Sequence, residues 1–125
     1  CWMSPDELLV LVPYSDAGRV VEDLSSSLDG QHHLAVDVSD ARSVFRLEGE
    51  GTAIREVLAK LSPADLREAA LPIGEVRRTR LAQVPAAFWF VAEGRAELVC
   101  FRSVADYLWG LLTHAATVGS EVGHF

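Results

Sequence analysis

The stretch TRLAQVPAAFWFVAEGRAELVCFRS, residues 79–103, carries the strongest fold signal in the chain. Thr79 to Val91 is rich in aromatic and β-branched residues and reads as one long strand. Pro85 lies inside it and cannot donate to a ladder, so the strand is expected to be edge-like or bulged there. Glu93-Gly94 supplies a hairpin turn, and Arg95 to Arg102 returns as a second strand. Ser103 then caps a last helix, with Asp106 three residues on in capping-box position. Val104, Leu108, Leu111, Leu112 and Ala115 line that helix's buried face. Successive side chains of a strand point to opposite faces, so Phe88, Trp89 and Phe90 make this one apolar on both. Such a strand needs a second covering layer or a partner.

Upstream, the apolar run Glu7 to Val12 stops at Pro13 and reads as a buried strand. Ser15 is placed to cap a helix whose stripe is Ala17, Val20, Val21, Leu24 and Leu28, ended by Asp29-Gly30. His33 to Val38 and Ser43 to Glu48 alternate in polarity around the turn Ser39-Asp40-Ala41-Arg42, the pattern of a hairpin. Gly49-Glu50-Gly51 breaks the strand. Thr52 caps a second helix with Ile54, Val57, Leu58 and Leu61 on one face, stopped by Ser62-Pro63. Residues 64–75 form a connector that can bury Ala69-Ala70-Leu71.

The predicted order is β-α-β-β-α-β-β-α. It implies an α+β domain, a ferredoxin-like sandwich with an antiparallel or mixed sheet and helices on one face. Residues 1–118 read as one domain and 119–125 as a loose, Gly-containing tail. The chain has 125 residues, half of them hydrophobic and 23% charged, ordinary for a globular domain.

The net charge is −7. A domain that tracks a phosphate backbone or an anionic membrane needs a basic footprint, so neither nucleic acid nor membrane is an expected partner. No apolar stretch approaches the length of a membrane span. Cys1 and Cys100 do not make a disulfide framework, and Cys100 sits in an apolar run as a small buried hydrophobe. The start, Cys1-Trp2-Met3, lacks the basic and apolar regions of a secretory signal. These features imply a reducing, cytoplasmic location. The missing initiator Met is consistent with a C-terminal part of a longer gene product.

No catalytic set emerges. Adjacent strand residues diverge, so His32 and His33 cannot readily share one metal ion, and His114 and His124 stand apart. Gly49-Glu50-Gly51 lacks the Lys-Ser/Thr of a phosphate loop. Asp37 and Asp40 fit turn capping. No serine lies in a nucleophile elbow. The expectation is no catalytic, cofactor-binding or metal-binding residue in this chain. The informative polar feature is Arg77, Arg78 and Arg80, three guanidiniums in four positions, able to fork onto carboxylates or phosphates of a partner. Trp109 lies off the buried stripe of its helix, which suits an interface anchor. With Trp89 these three arginines and Trp109 form the candidate partner interface.

The segments Arg78-Thr79-Arg80-Leu81-Ala82, Phe88-Trp89 and Phe101-Arg102-Ser103-Val104-Ala105-Asp106-Tyr107-Leu108-Trp109 resemble the gamma subunit of heterotetrameric sarcosine oxidase. That family carries a similar "RTRLA…LW…RSFADYLW" pattern, from which Val104 and Phe88 are mild departures. Trp2 and Ser4 to Leu9 resemble its "W-x-GPDEWLL" segment, with Ser4 for Gly and Leu8 for Trp. Val36 to Asp40 resembles the "DVS" strand of folate-binding aminomethyltransferases. The resemblance covers nearly the whole chain and is most specific in its last third. Family members extend further toward the N-terminus.

The resemblance implies an accessory subunit. The complex demethylates sarcosine oxidatively to glycine, makes hydrogen peroxide and passes the one-carbon unit to tetrahydrofolate. Its FAD, FMN, NAD and tetrahydrofolate would sit in the partner subunits, and the partners would be the alpha, beta and delta subunits. Two rival readings stand beside it. In a free-standing folate-binding module, Arg77, Arg78 and Arg80 would pair with glutamyl carboxylates. A regulatory ferredoxin-like domain rests on the fold alone, and fold does not imply function.

Overall fold

The protein is seen in a computed structural model that describes residues 1–50, 52–123 and 125. Gly51, in the predicted strand-breaking loop, and His124 lie outside the described residues. In chain order the elements are β1 (Trp2–Ser4), β2 (Glu7–Leu8), α1 (Ala17–Ser27), β3 (Arg42–Glu48), α2 (Ala53–Ala59), β4 (Arg77–Leu81), β5 (Val84–Ala92), β6 (Arg95–Phe101) and α3 (Ala105–Ala115). The four long strands make one antiparallel sheet in the order β3-β6-β5-β4, and β1 and β2 form a small separate hairpin.

Strand alternation sorts β5 and β6 into two faces. On the inner face, Ala86, Phe88 and Phe90 of β5 meet Ala96, Leu98 and Cys100 of β6, and Ile54 and Leu58 of α2 and Leu108 and Leu112 of α3 pack onto them. The connector adds Leu66 and Leu71, both fully buried. On the outer face, Ala87, Trp89 and Val99 form a second cluster, closed by Met3, Leu9, Val76 and Val91. The second layer demanded by Phe88-Trp89-Phe90 is therefore partly internal, since Met3 of β1 and Leu9 just after β2 come from the N-terminal hairpin region.

The α+β class and the antiparallel sheet agree with the sequence reading, and α2 and α3 pack on one face; the predicted stripe of α1 does not join them, since Ala17 is the one residue of that helix that is buried and Leu24 is 37% exposed. Element by element the order differs, becoming β-β-α-β-α-β-β-β-α. The stretch from Thr79 to Val91 is two strands, not one. Ala82 takes a left-handed φ of 51° and starts a two-residue turn between β4 and β5. Its amide donates to Leu61 O at 2.7 Å, which ties the turn to the end of the α2 segment. Pro85 follows that turn and pairs with Arg80. The β5–β6 register begins one residue later at Ala86, so Pro85 can sit in a central strand without breaking the β6 ladder.

Three other expectations change. The run from Glu7 to Val12 is strand only at Glu7–Leu8. Leu8, Val10, Leu11 and Val12 are exposed, because β1 offers a partner for no more than two residues. His33 to Val38 is not a strand: Leu34 is 86% exposed and Val36 59%, and β3 pairs with β6 instead. Ser103 does not cap α3. A short 3-10 turn at Arg102–Val104 precedes the helix, its N-cap is Val104, and no side-chain cap bond forms. Ser15 and Thr52 likewise make no side-chain cap bond.

The β5–β6 turn is as predicted, with Gly94 at φ 69°. A Cβ there would collide with Gly49 O, and Gly49 N donates to Gly94 O at 3.0 Å, so glycine is required on steric grounds as well. The buried carboxylate of Glu56 on α2 accepts the amides of Val122 and Gly123 at 3.1 Å and of Phe125 at 2.8 Å, which holds the C-terminal residues against the helix. Glu56→Gln puts an N–H₂ where an acceptor stood. Hydrogen exchange is expected to show those three amides losing protection, equivalent to about 1–2 kcal/mol. Unchanged exchange at all three would contradict that role.

Candidate partner interface

Arg77 and Arg78 begin β4, and alternation sends them to opposite faces. Arg77 is half-buried. It donates to Ala70 O at 2.7 Å and to Glu75 Oε1 at 3.1 Å, which fastens the connector to the sheet. Its Nε is buried without a partner. Arg78 pairs with Glu7 at 3.2 Å and reaches Met3 O at 3.4 Å, so it clamps the N-terminal hairpin onto the outer face. Arg80, on the same face as Arg78, is exposed and has no ion-pair partner among the described residues.

The two tryptophans separate in the same way. Trp89 is 6% exposed, in the cluster that Met3 and Leu9 close. Trp109 is 58% exposed and stacks against Phe45 of β3, ring centroids 6.1 Å apart and planes 21° from parallel. That pair lines a groove of about 380 Å³ between β3, α2 and α3, with Ile54, Val57 and Leu112 at its base. Of the five residues singled out in the sequence, Arg78, Arg80 and Trp109 are exposed, and Arg77 and Trp89 are not. Arg77, Arg78 and Trp89 hold the platform together.

Sequence reasoning missed the residues that organise this platform from within. Arg55 of α2 lies over the Phe90 ring, 4.2 Å from its centroid, and donates to the carbonyls of Leu66 and Leu71, the latter at 3.4 Å. One guanidinium thus anchors the connector that carries two core leucines. Its position on α2 between Ile54 and Glu56 gave no sign of partners eleven and sixteen residues away.

The connector also holds a local pair. Asp65 accepts Arg67 Nε at 3.0 Å and the Arg67 amide at 3.1 Å, and the Arg67 side chain holds its pKa down to about 2 from the ordinary 3.8. A depressed carboxyl stabilises the fold above its unfolded pKa, and that contribution fades as pH falls from about 3.8 to about 2. NMR titration is expected to find Asp65 near 2, and nearer 3.8 in Arg67→Ala. An Asp65 carboxyl that titrates alike in both proteins would contradict the pairing. Asp37 takes the Ser39 amide at 2.8 Å and its hydroxyl at 2.5 Å, the turn-capping role read from sequence, and its pKa is lowered by those bonds. Burial raises the Cys100 thiol.

Residues 1–118 match the sarcosine oxidase, gamma subunit family. The chain belongs to that family. Over 92 residues it is 33% identical to sarcosine oxidase subunit gamma of an Arthrobacter sp. and of Corynebacterium sp. (strain U-96), an alignment covering 74% of this chain and 43% of each relative. This gamma-family chain thus spans less than half the length of the curated relatives it matches. Its fold superposes on a chain of the heterotetrameric sarcosine oxidase from Corynebacterium sp. U-96, solved in complex with pyrrole 2-carboxylate. The TM-score is 0.75 at 27% identity, covering 82% of this chain and 51% of that one. Among the described residues, no helix of the gamma-family chain is long and apolar enough to cross a membrane.

Proposed function

We propose that this chain is an accessory, non-catalytic subunit of a heterotetrameric sarcosine oxidase. The assembly would demethylate sarcosine to glycine and pass the one-carbon unit to tetrahydrofolate. The flavins, FAD and FMN, together with NAD and the folate would be held by companion alpha, beta and delta subunits in the cytoplasm. The observation that carries the reading is the family match along residues 1–118. The surface is compatible with it: Trp109 and Tyr107 on α3, and Phe101 and Val44 on the outer sheet face, are about half exposed or more, apolar side chains that a partner would cover. Residues 1–118 are proposed as the assembling domain, with Arg80 and Trp109 at the contact and Arg77, Arg78 and Trp89 shaping the surface behind them.

Co-expression with and without this chain tests the proposal. The full set is expected to show sarcosine-dependent hydrogen peroxide production, and the set lacking the chain to lose most of it through failed assembly. The isolated chain is expected to have none. Equal activity without the chain, or turnover by the chain alone, would overturn the reading.

A further inference from the structure

Acidic residues outnumber basic ones in this protein, 18 to 11. Arg19, Arg46, Arg67, Arg77 and Arg78 each have a carboxylate partner. Arg42, Arg80 and Arg102 have none among the described residues; the sheet register brings Arg42 and Arg80 to one end of the outer face, and Arg102 adjoins that end just after β6. Arg80 pairs with Pro85, Ala86 with Cys100, and Arg42 with Phe101. Arg80, Pro85, Phe101 and Arg42 therefore lie in one row across all four strands. Arg102 follows Phe101 directly and donates to Arg42 O at 3.4 Å and Ser39 O at 3.5 Å.

The middle of this row is apolar and open. Phe101 is 46% exposed and Val44, one row in, is 51% exposed. The guanidinium carbon of Arg42 lies over the Phe101 ring, 3.9 Å from its centroid, a cation–π contact that holds the charge at this end of the face. The N-terminal hairpin region stops short of this end, since Met3 and Leu9 close over Trp89 and Val99 instead. Three strand spacings separate Arg80 from Arg42, roughly 14 Å. That is enough for one helix, about 10 Å wide, to lie over Phe101 between the two arginines, with Val44 at its flank beside Arg42.

We infer that this end of the outer face docks an acidic, apolar-faced segment of a companion subunit, its carboxylates taken by Arg42, Arg80 and Arg102 and its apolar side resting on Phe101 and Val44. The inference rests on the accessory-subunit reading and says where and by what chemistry the contact is made. Charge complementarity selects the occupant. Guanidiniums left unpaired in an acid-rich chain, around an open aromatic, suit a carboxylate-bearing protein surface.

The test uses the full chain, tagged and co-expressed with the companion subunits, and then affinity measurements with the purified partners. Arg80→Glu with Arg42→Glu is expected to weaken binding on the order of tenfold or more at low ionic strength, and Arg80→Glu alone by less. Wild-type binding is expected to weaken as salt rises, and the double variant to lose much of that salt dependence. Arg19→Glu on α1 makes a comparable change in charge elsewhere and is expected to bind like wild type. Thermal unfolding shows whether each variant folds. Arg80 has no internal partner, so its variant keeps the test alive if the double one does not. Capture of wild type and both variants with equal affinity overturns the inference and leaves the accessory reading standing. So does a double variant that loses only self-association. Failure to capture even the wild-type chain overturns both.

Discussion

Phe88→Ala is expected to remove about 3–5 kcal/mol of stability, enough to leave a domain of this size largely unfolded. Phe88 is fully buried at the centre of β5 and belongs to the inner cluster formed by both sheet-packing helices. It pairs with Arg77 on one side and Leu98 on the other, so truncation leaves a cavity that neither neighbouring strand can close. Denaturant titration measures the loss. Phe101→Ala is the control, since that ring is 46% exposed and its removal should cost less than about 1 kcal/mol. If the two variants lose equal stability, the assignment of the core to the helix-covered face is wrong.

Arg55→Met carries the second large effect, about 3 kcal/mol. The methionine keeps some apolar contact with Phe90 but leaves the carbonyls of Leu66 and Leu71 without their donor. A buried acceptor stripped of a charged partner costs more than an ordinary hydrogen bond. The damage should concentrate in residues 64–75, where hydrogen exchange is expected to accelerate before the sheet opens. Arg55→Lys should recover only part of the loss, because one ammonium cannot reproduce a planar fork stacked on a ring. Full rescue by lysine would show that charge alone, not the fork, does the anchoring.

The legible parts of the fold were those whose cause is local. The Glu93-Gly94 turn needs a positive φ, and a glycine stands there. The stripes Ile54-Leu58 and Leu108-Leu112 follow from helical spacing, and both are buried. The errors share another cause. Ala82 has a positive φ that nothing in Leu81-Ala82-Gln83 announces, so two strands read as one. The apolar runs at 7–12 and 33–38 have strand composition, but a strand exists only where a partner ladder does, and β6 is already filled by β3 and β5. Apart from Leu9, which packs into the outer cluster, the large apolar residues Leu8, Val10, Leu11, Val12, Leu34 and Val36 of those runs stay exposed.

The candidate site divides along the same line. Trp109 was recognisable because it departs from a helical stripe, a local property. Arg77 and Arg78 stood out as a charge block, yet their partners are contacts no spacing rule supplies: Arg78 meets Glu7 across 71 residues. Arg42 drew no notice in the sequence because it shares a row with Arg80 only through the register of four strands. What reached the family was a set of short segments around Arg80, Trp89 and Trp109, and the match to the gamma subunit family over residues 1–118 extends it along nearly the whole chain.

Native mass spectrometry of the co-expressed set decides whether this chain is a subunit. One assembly is expected, in which this chain is present in fixed stoichiometry with the companion subunits and dissociates as charge is reversed at Arg42 and Arg80. A chain that appears only as a free species, while its companions assemble fully without it, would rule out an accessory-subunit role.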